Sequence, residues 1–222
     1  MTLPRPSFGI LSARITFEDP EESGKSIMSI RSICIYCGSR PGNRPEYVEQ
    51  AAQFARVLAR RGIRIVYGGA SVGVMGAIAD AALSEGGTVV GVIPQSLVDR
   101  EVAHAGLSQL IVTASMHERK ARMADLSDAF VALPGGIGTL EEIFEIWTWS
   151  QLGLHAKPCG LLNIAGYYDS LQRFMDETVA NGFLHHKHRA MLVSADSVDG
   201  LLEAFEAYEA PEVMKWIERE ET

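Results

Sequence analysis

From Ser32 onward the chain alternates short, β-branched apolar runs with amphipathic stretches of helical period, the pattern of βα units wound around a parallel sheet. Strands are expected at 33–37, 63–67, 88–93, 110–113, 130–133, 160–162 and 191–193, each short and mostly apolar, as strands covered on both faces are. Helices are expected at 47–61, 74–84, 116–126, 140–152, 168–181 and 197–208, with Gly62 closing the first and Gly182 the fifth. The fold class is therefore α/β: a Rossmann-like, doubly wound parallel sheet of about seven strands with helices on both faces. With 222 residues, 47% of them hydrophobic, the chain can bury one sizeable core, and one domain is expected over 32–209. Residues 1–31 carry Arg5, Arg14 and an acidic patch from Glu18 to Glu22 without the apolar run of a signal peptide, and read as a poorly ordered extension. Residues 210–222 read as a charged tail.

In such sheets ligands sit outside the carboxyl ends of the strands, and three glycine turns fall there. They are Cys37-Gly38-Ser39, the loop from Tyr67-Gly68-Gly69 to Met75-Gly76, and Pro134-Gly135-Gly136-Ile137-Gly138-Thr139. The third runs into Leu140-Glu141-Glu142, so an apolar strand passes through glycines into a helix start. Glycines let backbone approach a ligand, and the first helical N–H groups present the positive end of the helix dipole to an anion. Thr139 and Glu142 also have the spacing of a capping box, which starts helices in proteins with no ligand. The fingerprint of a dinucleotide site is missing, because the next strand ends Gly91-Val92-Ile93-Pro94 without the acid that holds a ribose.

Charge and composition narrow the partners. A net charge of −8 works against a general nucleic-acid binder but leaves room for a small anion in a backbone cradle. No run approaches the roughly 20 apolar residues of a membrane span. Three cysteines are too few for a disulfide scaffold and suit a reducing cytoplasm. Cys34 and Cys37, three apart on a strand, point to opposite faces and read as buried thiols rather than a redox pair. His185-His186-Lys187-His188 reads as an exposed loop, lacking the i, i+4 spacing of a helical metal site, and no metal site is expected.

Met116-His117-Glu118-Arg119-Lys120-Ala121 opens a helix with two adjacent cations, one strand before the Pro-Gly-Gly turn. Taken alone it reads equally as a solvated helical face, and a polar residue there should add little to the core. Paired with Pro-Gly-Gly-x-Gly-Thr-x-x-Glu, it resembles the LOG ("lonely guy") family of cytokinin riboside 5'-monophosphate phosphoribohydrolases. The resemblance covers about 33–208 and includes Cys37-Gly38-Ser39 and Trp147-Thr148-Trp149-Ser150-Gln151-Leu152-Gly153. An older label for that family is lysine decarboxylase.

The resemblance implies cleavage of the N-glycosidic bond of a purine 5'-monophosphate, with no cofactor. Carried over by position, it makes Arg119 and Glu142 the catalytic pair. Glu101, Lys120, Thr148 and the backbone of Gly136, Ile137, Gly138 and Thr139 become substrate contacts, with Ser39 added by its place in its turn. A homodimer or larger homo-oligomer is implied, with sites near the subunit interface. Glu142 suits stabilising an oxocarbenium-like ribose and activating water. Arg119 has three open roles: orienting that carboxylate, contacting the phosphate, or assisting the departing base. Two other readings remain: a nucleotide or molybdenum-cofactor carrier on the same fold, and a pyridoxal-phosphate enzyme, for which only Lys120 lies in a motif.

Overall fold

The computed structural model describes residues 30–98 and 103–211. The N-terminal extension, the tail beyond Pro211 and Glu101 lie outside the described residues. Seven strands run parallel: β1 (Ser32–Tyr36), β2 (Arg64–Tyr67), β3 (Val89–Pro94), β4 (Gln109–Thr113), β5 (Ala129–Ala132), β6 (Cys159–Leu162) and β7 (Leu192–Ala195). Between them lie α1 (Pro45–Arg60), α2 (Gly73–Ser84), α3 (Gln95–Val98), α4 (Met116–Asp125), α5 (Ile137–Gln151), α6 (Asp169–Ala180), α7 (His186–Ala190) and α8 (Val198–Glu206).

The strand order is β4-β3-β2-β1-β5-β6-β7. The chain starts at the centre, steps outward to β4, then returns across β1 to lay down β5 and continue the other way. Cys34 pairs with Phe130 and Ile35 with Val131 at that seam. The loops leaving β1 and β5 therefore diverge to opposite faces and open a crevice between the two carboxyl ends, where doubly wound sheets hold ligands.

Period-two alternation along β1 builds the two cores. Ile33, Ile35 and Cys37 pack with Phe54 of α1, Ile78 of α2 and Phe205 of α8. Cys34 and Tyr36 pack with Met123 of α4, Ile143 and Trp147 of α5 and Met175 of α6. Helices thus cover both faces, as the sequence pattern predicts. The two cysteines of Cys-x-x-Cys belong to opposite faces; all three cysteines are free and buried, and burial pushes the thiols of Cys34, Cys37 and Cys159 up.

Three expectations need correction. β4 is an edge strand, so Leu110 and Val112 remain exposed on a strand expected to be covered. The segment after Gly182 is not a loop: His185 accepts a hydrogen bond from Lys187 N and caps the short helix α7. Helix α5 begins three residues before the expected position, at Ile137, with Gly136 as its N-cap. Among the described residues no helix is long and apolar enough to cross a membrane, and no group of three or more His, Cys, Asp or Glu side chains is arranged to hold a metal ion.

Candidate active site

The three glycine turns converge at the β1/β5 seam, joined backbone to backbone. Gly38 N donates to Pro134 O at 3.1 Å, and Gly38 O accepts from Val74 N and Met75 N at the start of α2. Gly73, at φ +58°, lies so close to the Ser39 and Arg40 backbone that a Cβ there would overlap it. Around this junction opens a pocket of about 620 Å³. Its walls include Gly38, Ser39, Arg119, Glu142 and the whole run from Pro134 to Thr139.

The early start of α5 decides between the two readings of its first turn. Thr139 is the third residue of the helix and Glu142 lies a turn further in, so they do not form a capping box. The N-cap is a glycine that offers no side-chain acceptor, and the N–H groups of Ile137, Gly138 and Thr139 have no carbonyl a turn behind them. Beyond its chain neighbours and its own helix backbone, a Cβ on Gly136 or Gly138 would meet nothing within 4 Å, and neither has a positive φ. The fold itself has no need of glycine at those positions; the space they leave belongs to the pocket. The real cap lies on α4, where Ser115 accepts from Glu118 N at 3.1 Å and Glu118 accepts from Ala114 N at 2.7 Å.

That cap starts α4 beside the pocket and sets Arg119 one turn inside it. Arg119 is buried to 6% exposure, contrary to the expectation of a residue marginal to the core. Its Nε donates to Val92 O at the carboxyl end of β3, 3.0 Å away. A Cβ on Gly68 would overlap its guanidinium, so that glycine of the second turn makes room for the arginine. Arg119 Nη1 stands 3.6 Å from Glu142 Oε1, an ion pair rather than a tight hydrogen bond.

Glu142, from the second turn of α5, is 8% exposed. Burial raises its pKa above the ordinary carboxylate value; Arg119 and Lys120 pull it down, and Glu141 and Glu145 push it up. Lys120 does not line the pocket. Its Nζ bridges Glu141 at 2.8 Å and Glu145 at 2.9 Å. Burial pulls the Lys120 pKa down, but the two carboxylates outweigh it and leave the ammonium favoured.

Of the expected contacts, then, Ser39, Gly136, Ile137, Gly138 and Thr139 line the pocket with Arg119 and Glu142, and Lys120 acts on it through Glu141. Thr148 is exposed further along α5, donating to Phe144 O, away from the pocket walls. Tyr67 is fully buried and Trp147 nearly so, with its indole N–H on His188 O, so neither ring is open to a base. Residues missed in the sequence are Arg40, Pro41, Gly42 and Asn43 after the first turn, Tyr47 on α1, Met116 on α4 and Tyr167 after β6. The stretch from Ser39 to Pro45 carries a faint signal, since no helical period begins before Pro45.

A family model described as "possible lysine decarboxylase" matches residues 75–205, which include both motif helices. The chain is 49% identical to the probable cytokinin riboside 5'-monophosphate phosphoribohydrolase LOGL9 of Oryza sativa subsp. japonica, over 80% of this chain and 78% of the relative. It is 48% identical to the cytokinin riboside 5'-monophosphate phosphoribohydrolase LOG2 of Arabidopsis thaliana, over 80% of this chain and 84% of the relative. The chain belongs to the LOG family. Solved structures share the LOG architecture more widely. The molybdenum cofactor binding protein of Rippkaea orientalis superposes with a TM-score of 0.61 at 23% identity, over 81% of this chain and 98% of that one. The molybdenum-cofactor carrier protein of Chlamydomonas reinhardtii gives 0.60 at 23% identity, over 78% and 93%. At that distance the likeness is one of fold.

Proposed function

We propose that this LOG-family protein hydrolyses the N-glycosidic bond of a purine riboside 5'-monophosphate, AMP or an N6-substituted AMP, releasing the free base and ribose 5-phosphate. The observation that carries the reading is the buried Arg119–Glu142 pair on the wall of a pocket whose neighbouring wall is an uncapped, glycine-lined helix start. The helix start takes the 5'-phosphate, whose binding energy fixes the sugar against the carboxylate. As the bond from the anomeric carbon to the base nitrogen breaks, the base leaves with the electron pair and takes up a proton from solvent, to which Glu142 later returns the one it accepts. Water adds its oxygen to the anomeric carbon. Glu142 stabilises the positive charge that develops on the sugar and accepts the proton that water gives up.

Arg119 is the orienting partner in this scheme. Tied to Val92 O and to Glu142, it pulls the Glu142 pKa down against the burial that raises it. Lys120 pairs with Glu141 and Glu145, which push the Glu142 pKa up, and itself pulls that pKa down. The protein works as a cytoplasmic homodimer or larger homo-oligomer, without a nucleic-acid or membrane partner, and the exposed Thr148 is free to serve a neighbouring copy.

The runner-up is a carrier on the same fold that binds without turnover. The paired arginine and glutamate weigh against it, because a carrier needs no buried carboxylate to meet a cation that exists only in a transition state. Incubating the purified protein with AMP and chromatographing for adenine tests the choice: adenine release supports the hydrolase, and AMP binding without release supports the carrier. A decarboxylase working through a lysine Schiff base has less to rest on. Among the described residues no lysine lines the pocket, and Lys120 is held as an ammonium between two carboxylates.

A further inference from the structure

The turn after β6 places two consecutive tyrosines against the Pro-Gly-Gly segment. Tyr168 OH donates to Leu133 O at 2.7 Å, and Tyr167 OH donates to Gly135 O at 2.5 Å. The two bonds look alike but act on chemically different peptides. The Leu133–Pro134 peptide has no N–H, so fixing its carbonyl can orient no donor. The Gly135–Gly136 peptide does have one, and it is trans, so its N–H points opposite to its carbonyl. Holding Gly135 O on Tyr167 holds Gly136 N–H turned away from Tyr167. Gly136 is the N-cap of α5, the residue at which the proposed phosphate cradle begins.

A peptide between two glycines rotates easily, and here one of its ends is pinned while its plane is not. A Cβ on Gly135 would overlap Thr139 Oγ1 and stand 2.8 Å from Gly38 N, so the Gly135 Cα has no room to move sideways. Beyond it, a Cβ on Gly136 would meet nothing within 4 Å outside its own neighbours, so no side-chain packing holds that end of the peptide. Tyr167 supplies what is missing, and it is itself braced. Its ring meets Tyr47 edge-on at 5.4 Å and Tyr168 edge-on at 4.9 Å. The turn before it holds Ala165 at φ +53°, a left-handed conformation that a residue with a Cβ adopts at a cost, and Arg44 Nη1 binds the Ala165 carbonyl at 3.3 Å. Asn163, 6% exposed, accepts from Tyr168 N and donates to Asp169 and Asp196, fixing the base of the turn.

We infer that Tyr167 is a positioning residue for the anion: its hydroxyl sets the Gly135–Gly136 peptide plane so that Gly136 N–H joins the N–H groups at the start of α5 as a phosphate donor. The inference rests on the phosphoribohydrolase reading above and adds a residue outside both of its sequence motifs. Tyr168, bonded to the donorless peptide one step earlier, has a structural role alone. Tyr167 acts before the chemistry, on how the phosphate is held, and not on Glu142.

The pair of tyrosines provides its own control. Tyr167→Phe keeps the ring and its packing and removes only the hydroxyl; Tyr168→Phe removes the equivalent group from Leu133. For Tyr167→Phe, KM for AMP and the inhibition constant of ribose 5-phosphate should each rise about tenfold, the scale of one hydrogen bond to a charged group, with kcat within about twofold of the parent. Tyr168→Phe should lower the melting temperature and leave both constants unchanged. Unchanged constants in Tyr167→Phe, or an equal rise in both variants, would overturn the inference. Calorimetric titration with ribose 5-phosphate keeps the two proposals apart. A parent protein that binds it but releases no adenine from AMP sinks the hydrolase reading, while the ratio of dissociation constants between parent and Tyr167→Phe still decides the role of Tyr167.

Discussion

Glu142→Gln removes one charge and almost nothing else. The side chain keeps its length, and the helix start keeps its N-cap at Gly136, since Glu142 lies a turn further in and caps nothing. Burial already works against the ionised form, so replacing it removes a penalty as well as the 3.6 Å pairing with Arg119, which retains its bond to Val92 O. The melting temperature should therefore stay within a few degrees of the parent. The transition state is another matter. At a separation like the 3.6 Å between Arg119 and Glu142, and an effective dielectric of about 20, a full unit of positive charge gains about 4–5 kcal/mol from the carboxylate, and half a unit about 2.3. At 1.36 kcal/mol per decade those figures span roughly 50-fold to 2,000-fold in rate. Single-turnover release of adenine from AMP should fall by about 100-fold or more, with AMP affinity near normal. Near-parental rates, or a loss of stability large enough to account for the lost rate, would refute this account of Glu142.

Other outcomes follow from the same geometry. Glu142 must be ionised to act and its pKa is raised, so kcat/KM for AMP should fall on the acid side at a pH above the ordinary carboxylate range. In Arg119→Ala the cation that lowers that pKa is gone, so the acid limb should move to higher pH while activity drops at least tenfold; an unmoved limb would detach Arg119 from Glu142. The same variant leaves a buried carboxylate unpaired and should lose about 3 kcal/mol of stability at pH 8. The loss should shrink towards pH 5, because a group with a raised folded pKa costs stability only once pH climbs past its unfolded value; denaturant melts at the two pH values would show it. Adenosine should turn over far more slowly than AMP, and equal rates would remove the phosphate from the mechanism. Gly138→Ala places its Cβ in open pocket space within the first turn of a helix, so its melting temperature should hold or rise while KM for AMP climbs by about tenfold or more; an unchanged KM would mean the cradle is not used.

How far the sequence foretold this site depended on whether the signal was local. β-branched runs placed all seven strands to within two residues, because strand interiors are written in consecutive side chains. Glycine turns at strand ends were equally plain, and with parallel strands they had to gather at one edge. The capping pattern at Thr139 and Glu142 misled because spacing cannot say which residue starts a helix. Ser115-x-x-Glu118 has the same spacing and does cap its own helix, α4. The burial of Arg119 could not be read either: a charged residue in a polar run looks solvated until Val92 O and Glu142 are brought to it from 27 and 23 positions away. Tyr167 and Tyr47 meet across more than a hundred residues, and nothing in the sequence around either points to the other.

Four helices, α1, α2, α4 and α5, begin on the pocket wall, and among the described residues the start of α5 is the one least occupied; at α4 the Ser115 side chain already takes Glu118 N. At α1 the first residue is Pro45, with no N–H to give, and Glu46 turns its carboxylate back to its own backbone N–H, which with Arg44 lowers its pKa. At α2 the second and third donors, Val74 N and Met75 N, are spent on Gly38 O. At α5 the cap is Gly136 without a side chain, and the following residues include a second glycine that leaves space instead of filling it. Gly38, whose carbonyl occupies α2, also donates its N–H to Pro134 O, so the residue that engages one helix start fixes the loop leading to the other. In the proposed function the 5'-phosphate meets the α5 donors within a turn of Glu142. The distance from phosphate to carboxylate is then a property of the backbone, set before any substrate arrives.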